Sequence, residues 1–497
     1  MADFGGGICA EKPSLSPPDP PDSRLVATIQ TIGSQEIHAA ITQLATAISA
    51  RHGTAKKLLL LGIANGGVTL AQRLASLLAF VPFTVGLGVT APSVGAATQS
   101  DPPRQWAPNA FLPLTEARIA ALPPAEQPPW RAYWQASQER ARPLSPRDLA
   151  DHSSTVPSDG PPIPSTYSQG VRLDAPTSWY ASPEARTIAD RVVGWQLVTG
   201  GWTKTGDYSR AREAKDDKHD SWSAGTFDND STIYELRYLA LVSNAADDQS
   251  RVKAWRESFL RGLDYVFAAQ YPNGGFPQIY PLAGLYHDAI TFNDDAMVHI
   301  LELLRDIAEG KSSFAFVPAG KVTEAGDRFQ RGLQCVLSAQ LHLPGGHRSV
   351  WSQQYDPLTL QPCAARNFEP VAECTSESAG IVQFLLTVSN PTPEIMTALD
   401  GATAWFASRV LHGVVWDREL TTGRGLVLRE GAPDLWARFY EIGTGKPIFG
   451  ERDRAIHYRV TELLNERRKG YGWFNSRPAA VLTAYKAWQK KLFAPPK

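Results

Sequence analysis

Two segments, RGLDYVFAAQ at Arg261–Gln270 and RGLQCVLSAQ at Arg331–Gln340, place Arg, Gly, Leu, Val, Ala and Gln at the same positions. Each is followed by a glycine pair, Gly274-Gly275 and Gly345-Gly346, and a third pair, Gly200-Gly201, follows the segment ARTIADRVVGWQLV. A second element also recurs: TFDND at Thr226–Asp230 and TFNDD at Thr291–Asp295, each leading into an apolar run of helical period. An internal repeat constrains a chain strongly, because each unit must be one block that buries its apolar face against the next.

Each unit reads as helix, Gly-Gly turn, long loop and second helix, and a looser fourth helix, ATAWFASRVLHG, starts one interval on. The interval exceeds the roughly 20–50 residues of ordinary solenoids. Strand signals are sparse. The pattern predicts a mainly α fold, an (α/α)3 toroid or barrel in which inner and outer helices alternate and long loops form a cleft at one end. The glycine pair is expected to end the first helix of each unit as a left-handed C-cap. TFDND and TFNDD then fall at equivalent places, where a second helix starts beside the cleft. Asp and Asn cap helix N-termini, but one side chain suffices for a cap. Two or three in a row leave a surplus for another role.

The chain has 497 residues, 43% hydrophobic and 20% charged, an ordinary soluble globular composition. A net charge of −1 gives no field to attract nucleic acid or an anionic membrane. Four cysteines without a C-x-x-C pair fit neither a disulfide scaffold nor a zinc module. Residues 1–23, rich in Gly, Pro and Asp, read as a disordered leader. Residues 24–90 read as helix, buried strand, Gly-rich turn and helix, an α/β fragment. With LLGIANGGVTLAQRLA carrying the likeness, this fragment resembles the start of the uracil phosphoribosyltransferase-like pyrimidine regulators. The acidic strand end and Gly-Thr-rich loop of such enzymes are missing, so no transferase activity is expected. The stretch at about 73–97 has the basic, apolar and small-residue order of a secretory signal in an internal place. As a membrane span it is broken by Pro82 and glycines. Residues 91–175 read as a Pro- and Ser-rich linker or surface arm with one or two helices, and one repeat-bearing domain spans 176–497.

Chemistry-bearing candidates cluster in the loops. Unit one offers Lys204 in GGWTK and Asp228, Asn229 and Asp230; unit two offers Asn293, Asp294 and Asp295. Unit three replaces the acidic element by CAARNFEPVAECTSESAG, with Arg366, Glu369 and a helix start near Ser376. Beyond it, Arg438, Lys446, Arg452 and Arg454 lie among aromatic residues. Arg binds carboxylates in a fork geometry. Carboxylates together with an Arg cluster point to an anionic ligand with a divalent cation between it and the protein. Calcium suits such hard oxygen donors, whereas zinc would need His or Cys spacings that are absent.

NGGFPQIYPLAGLYHDAITFNDDAMVHILELL, ARNFEP followed by SESAGIV, and WARFYEIGTGKPIFGERD with RRKGYGWF resemble the family-10 pectate lyases, over roughly 180–490. The resemblance implies an (α/α)3 toroid that cleaves polygalacturonate by calcium-assisted β-elimination. It implies Arg366 as the base and Arg438 and Arg452 as carboxylate-binding residues, with Lys204, Asn293 and Tyr440 as further substrate contacts. Asp294, with Asp228 or Asp230, takes the calcium side. It also implies a monomer outside the cell or in the periplasm, acting on a polysaccharide and not on nucleic acid or a membrane. The chemistry removes the C5 proton of a uronate, and cations on the adjacent carboxylate stabilise the resulting anion. An arginine base, almost always protonated, implies an alkaline optimum.

Three alternatives stay open at this stage. An inverting glycoside hydrolase on the same toroid would use Asp228 or Asp230 with Asp294, carboxylates about 6.5–9.5 Å apart. Arg366 would otherwise pair with Glu369 simply to hold a loop. Cys363 and Cys374 flank the stretch bearing Arg366, and in an exported protein they could pin it with a disulfide; the other reading is two buried thiols.

Overall fold

The computed structural model describes residues 104–105, 111–141, 163–204, 206–213, 216, 224–343, 345–417 and 424–492. All lie in one compact unit, Ala97–Lys497. The leader, the α/β fragment and the signal-like stretch expected at the N-terminus lie outside the described residues.

Helices dominate. They are α1 Glu116–Ala120, α2 Gln127–Arg140, α3 Pro183–Trp195, α4 Ile233–Ala245, α5 Gln249–Ala269, α6 Ala296–Ala308, α7 Ala319–Ala339, α8 Thr375–Leu386, α9 Pro393–Ser408, α10 Asn465–Lys469 and α11 Arg477–Leu492. Local signals start several of them. Ser182 caps α3 by accepting from the Ala185 N–H (3.1 Å), and Asp248 caps α5 by accepting from Ser250 and Arg251 (3.2 and 3.3 Å). Pro183 and Pro393 open α3 and α9, where their missing N–H costs nothing.

The helices pair as α4 on α5, α6 on α7 and α8 on α9, with α4, α6 and α8 touching in sequence order and α11 packing on α8. The two kinds differ as burial requires. α6 buries Met297, Val298, Ile300, Leu301, Leu303 and Leu304, more than one face, as an inner helix must. α7 buries one side, including Ala325, Phe329, Leu333 and Val336, and leaves its opposite face to solvent. Strands are short; the longest pair, Val414–Asp417 with Gly425–Leu428, is an antiparallel ladder beside the helices.

The repeated RGL and Gly-Gly motifs explain each other. Gly262 and Gly332 lie on the outer helices where the inner ones come closest: a Cβ on Gly262 would sit 2.7 Å from Leu236, and one on Gly332 would collide with Leu301. The carbonyls of Arg261 and Arg331 press on Gly200 and Gly274, which have φ of +98° and +91° and leave no room for a side chain. The glycines are therefore not helix C-caps, as the sequence suggested. α3, α5 and α7 end at Gln196, Gln270 and Gln340, and the glycine turn comes after. Each glutamine is buried, and each spends its amide holding two units together. Gln196 donates to Gly200 O and Ser258 O (2.7 and 2.9 Å), Gln270 to Gly274 O and Arg328 O (3.0 and 2.9 Å), Gln340 to Ser349 O and Ala398 O (2.8 and 2.9 Å).

The segment expected to be a linker contributes to the core. Trp130 and Tyr133 of α2 pack on Tyr271 (5.5 and 4.8 Å between rings), and the Tyr133 hydroxyl donates to Ala269 O at 3.0 Å. Arg118 pairs with Asp356 at 2.7 Å. Among the described residues no helix is long and apolar enough to cross a membrane.

Candidate active site

Four buried aromatic residues, Trp202, Phe276, Trp351 and Trp436, follow the outer helices α3, α5, α7 and α9. The three indoles donate to the outer helix before them, at Val192 O, Val336 O and Phe406 O (2.7, 2.7 and 2.9 Å). Two residues further on stand Lys204, Gln278, Gln353 and Arg438. The carbonyls of the last three accept from the N–H groups of Phe227, Phe292 and Thr375, all at 2.9 Å. The aromatic anchors therefore set four polar side chains at equivalent places, and bring each beside the turn that starts an inner helix. A four-way alignment on the aromatic residues would have found Gln278 and Gln353; the search for charged groups missed them.

The Asp and Asn clusters do not cap helices. No side chain of Asp228–Asp230 or Asn293–Asp295 makes a cap hydrogen bond to α4 or α6. What the clusters share is backbone shape. Asn229 and Asp230 have φ of 48° and 65°, and Asp294 and Asp295 have 50° and 61°. Two left-handed residues in succession favour Asn and Asp among side-chain-bearing residues. The turn splits its side chains between two directions. Asp228, buried, takes Lys204 Nζ at 2.5 Å, and Asp294 accepts from Asn293 Nδ2 at 2.6 Å. Asp230 instead faces His299 Nδ1 at 2.5 Å, while Asp295 takes Arg477 at 2.6 Å and lies against Gly380, where a Cβ would displace it.

Asp228 and Asp294 line one small cavity of about 80 Å³, with Lys204, Asn293, Arg366 and Glu369. Gln278, Gln353 and Tyr286 are also in its wall. A larger hollow of about 670 Å³, beside Arg118, Asp356 and Cys363, contains none of these groups. Desolvation in the cleft pushes the Asp294 carboxyl up from its ordinary value, with Glu377 and Asp228 adding and Arg438 and Lys204 opposing. His287 lies tilted against Tyr286 at 3.9 Å between rings; burial, opposed by Asp228 and aided by the Arg366 and Lys204 charges, takes its pKa down to about 4, so it is neutral.

Arg366 is 45% exposed at the cavity, but Glu369 beneath it is 1% exposed. Glu369 accepts from Arg366 Nε and Nη2 (2.8 and 2.6 Å), from the Arg366 backbone N–H (3.1 Å) and from the Tyr471 hydroxyl (2.8 Å). Burial works to lower the Arg366 pKa, but the Glu369 hydrogen bonds and charge outweigh it and raise it. Arg438 pairs with the buried Glu377, whose other oxygen accepts from Cys374 Sγ at 2.6 Å, and lies 4.9 Å over the Tyr471 ring. Glu377 and Tyr471 were not singled out in the sequence, although Glu377 sits in the quoted SESAG motif and Tyr471 in RRKGYGWF.

Arg452 is 61% exposed and paired with Glu466 at 2.8 Å, outside the lining of the small cavity. Three expectations need correction. Tyr440 is 1% exposed, donates to Arg409 O at 3.0 Å and packs on Trp405, so no ligand can reach it. Asp230 turns away from the cavity to His299. Cys363 and Cys374 are free, buried thiols, the second engaged with Glu377.

The pectic acid lyase family matches residues 196–482. Two similar solved structures are of a family 10 polysaccharide lyase from Cellvibrio cellulosa, each 30% identical with a TM-score of 0.55. The unmodified enzyme covers 65% of this chain and 99% of its own. An aspartate-to-alanine variant in complex with trigalacturonic acid covers 63% and 95%. No curated protein matches. None of these matches supports the phosphoribosyltransferase likeness of residues 24–90.

Proposed function

The chain belongs to the pectic acid lyase family and is a polysaccharide lyase that acts on pectate, and from that premise we propose how its own residues carry out the elimination. Arg366 takes the C5 proton of a galacturonate unit; the electron pair left on the sugar forms the C4–C5 double bond as the C4–O bond breaks, and the departing oxygen takes a proton from water. Lys204 and Arg438 counter the charge of the uronate carboxylate while the C5 anion forms. The observation that carries this reading is the cavity in which Arg366, Lys204, Asp228 and Asp294 meet. The Lys204–Asp228 pair favours it over hydrolysis, because a carboxylate held at 2.5 Å by an ammonium is poorly placed to serve as acid or base.

Calcium belongs to the same reading. Among the described residues no three His, Cys, Asp or Glu are grouped to enclose an ion. The cavity does offer hard oxygens, the Asp228 and Asp294 carboxylates and the side-chain amides of Asn293 and Gln278. Such a donor set fits calcium when sugar carboxylates complete the shell. Asp294 and Asp228 would hold the ion, which when bound adds positive charge beside the uronate carboxylate. The same reading closes the helix pairs into an (α/α)3 toroid. It has the protein act outside the cell as a monomer on polysaccharide, with no nucleic-acid or membrane partner.

Asp294→Asn tests the calcium assignment. Asn229 shows that Asn accepts the equivalent left-handed turn, so the variant should melt close to the parent. Its calcium requirement should rise by about tenfold or more, the effect of roughly 1.4 kcal/mol of lost ion binding. A chelator should silence the parent. A parent indifferent to chelator, or a variant with unchanged calcium dependence, would remove calcium from this site.

A further inference from the structure

We propose that Glu369 is a positioning residue that fixes which nitrogen of Arg366 reacts. The proposal rests on the reading of Arg366 as the base and goes beyond it. Glu369 engages Arg366 Nε and Nη2 together, and Nη1 is the guanidinium nitrogen with no hydrogen bond among the described residues. A neutral guanidine has one imine nitrogen, which alone can accept a proton. While Nε–H donates to Glu369, Nε must keep its only hydrogen, and an amino Nη2 donates to the other carboxylate oxygen better than an imine Nη2 would. The pairing therefore favours the imine lone pair on Nη1. The C5–H bond then breaks with its proton passing to Nη1, its electron pair staying on the sugar, and Arg366 ending as a guanidinium paired with Glu369. A buried carboxylate selects the tautomer of a catalytic histidine in the same manner.

The support for Glu369 is itself fixed. Tyr471 donates to it at 2.8 Å and Gln353 Nε2 lies at 3.4 Å. Its own N–H donates to Arg366 O at 2.8 Å, so side chains and backbone close one ring. Phe368 lies under the Arg366 guanidinium at 5.0 Å, which limits its rotation away from Glu369.

The arrangement has an acid–base consequence. The charged and titratable groups facing Arg366 are Glu369, Tyr471, Tyr286, His287 and Arg467, with Lys204, Asp228 and Asp294 across the cavity. Glu369 holds the proton on Arg366, so neutral Arg366 becomes more abundant only as pH rises. Glu369→Gln removes that charge and keeps the volume, but offers one acceptor oxygen where two are needed. The variant should lower kcat by at least about tenfold, a part of the 10²–10⁴ that a positioned base contributes. KM for polygalacturonate should stay within about twofold, and the rising limb of the pH profile should move to lower pH. A folded Glu369→Gln enzyme with parental kcat and an unmoved limb would overturn the proposal and leave Glu369 as loop support only. Should that variant not fold, Tyr471→Phe removes one hydrogen bond to Glu369 and keeps the ring; a smaller kcat loss at constant KM supports the proposal, and a parental kcat refutes it. Arg366→Ala, run in parallel, separates the two levels. If it stays active, the reading of Arg366 falls and this proposal with it. If it is dead while Glu369→Gln matches the parent, only the tautomer assignment fails.

Discussion

Replacing Arg366 by alanine should reduce kcat on polygalacturonate by at least about 100-fold, with substrate affinity changed far less. Arg366 is the one cavity cation with an unbonded nitrogen among those described that rests on a buried, fully satisfied carboxylate. The single nitrogen of Lys204 is held by Asp228, and Arg438 is largely buried against Glu377, so neither presents a free nitrogen to the cavity as Arg366 does. The change also leaves Glu369 buried without its counterion. Breaking a buried pair costs about 3–5 kcal/mol; Arg366 is 45% exposed, so solvent screening places the loss at or below the low end. Steady-state kinetics beside a melting curve read both effects. A stable variant with more than a few per cent of parental kcat would show that another group takes the proton.

Arg438→Ala should be worse for folding and as damaging for activity. Arg438 and Glu377 are both largely buried, with side-chain exposures of 14% and 2%. Removing the cation leaves Glu377 with the Cys374 thiol as its remaining partner, and a loss of about 3–5 kcal/mol is expected. The guanidinium also stacks on Tyr471, which in turn supports Glu369, so Arg366 loses part of its bracing. The double variant Arg438→Ala with Glu377→Gln separates the roles. It should regain most of the melting temperature, because no charge is then stranded, and little of the activity, because Arg438 no longer meets the substrate carboxylate. Recovery of activity in the double variant would make Arg438 a structural residue only.

The repeats were the most legible part of the chain. RGL and Gly-Gly recur because the close approach of helix to helix and of turn to carbonyl leaves no room for a side chain, and such steric demands are visible in sequence. The two acidic turns were equally visible, but their reason was not. The local pattern of an Asp before a helix is the same for a cap and for a left-handed turn, and only φ distinguishes them. Which Asp faces the cavity follows from that geometry, so Asp228 and Asp230, two residues apart, were indistinguishable until the turn was seen. Tyr440 was misplaced for a related reason: an aromatic beside an arginine in a loop motif looks the same whether its ring faces solvent or, as here, packs on Trp405. Glu369 was named in the sequence as a loop partner of Arg366, and the pairing is present; that a loop contact could also orient the base needed the two hydrogen bonds to separate nitrogens. Gln278 and Gln353 carry no charge, and their significance lies only in their equivalence to Lys204 and Arg438.

The central claim is elimination, and the product tests it. Polygalacturonate incubated with the purified protein and calcium should gain the ultraviolet absorbance of a uronate unsaturated between C4 and C5, in step with chain cleavage. New reducing ends without that absorbance would mean that water had entered the bond, and would contradict the account.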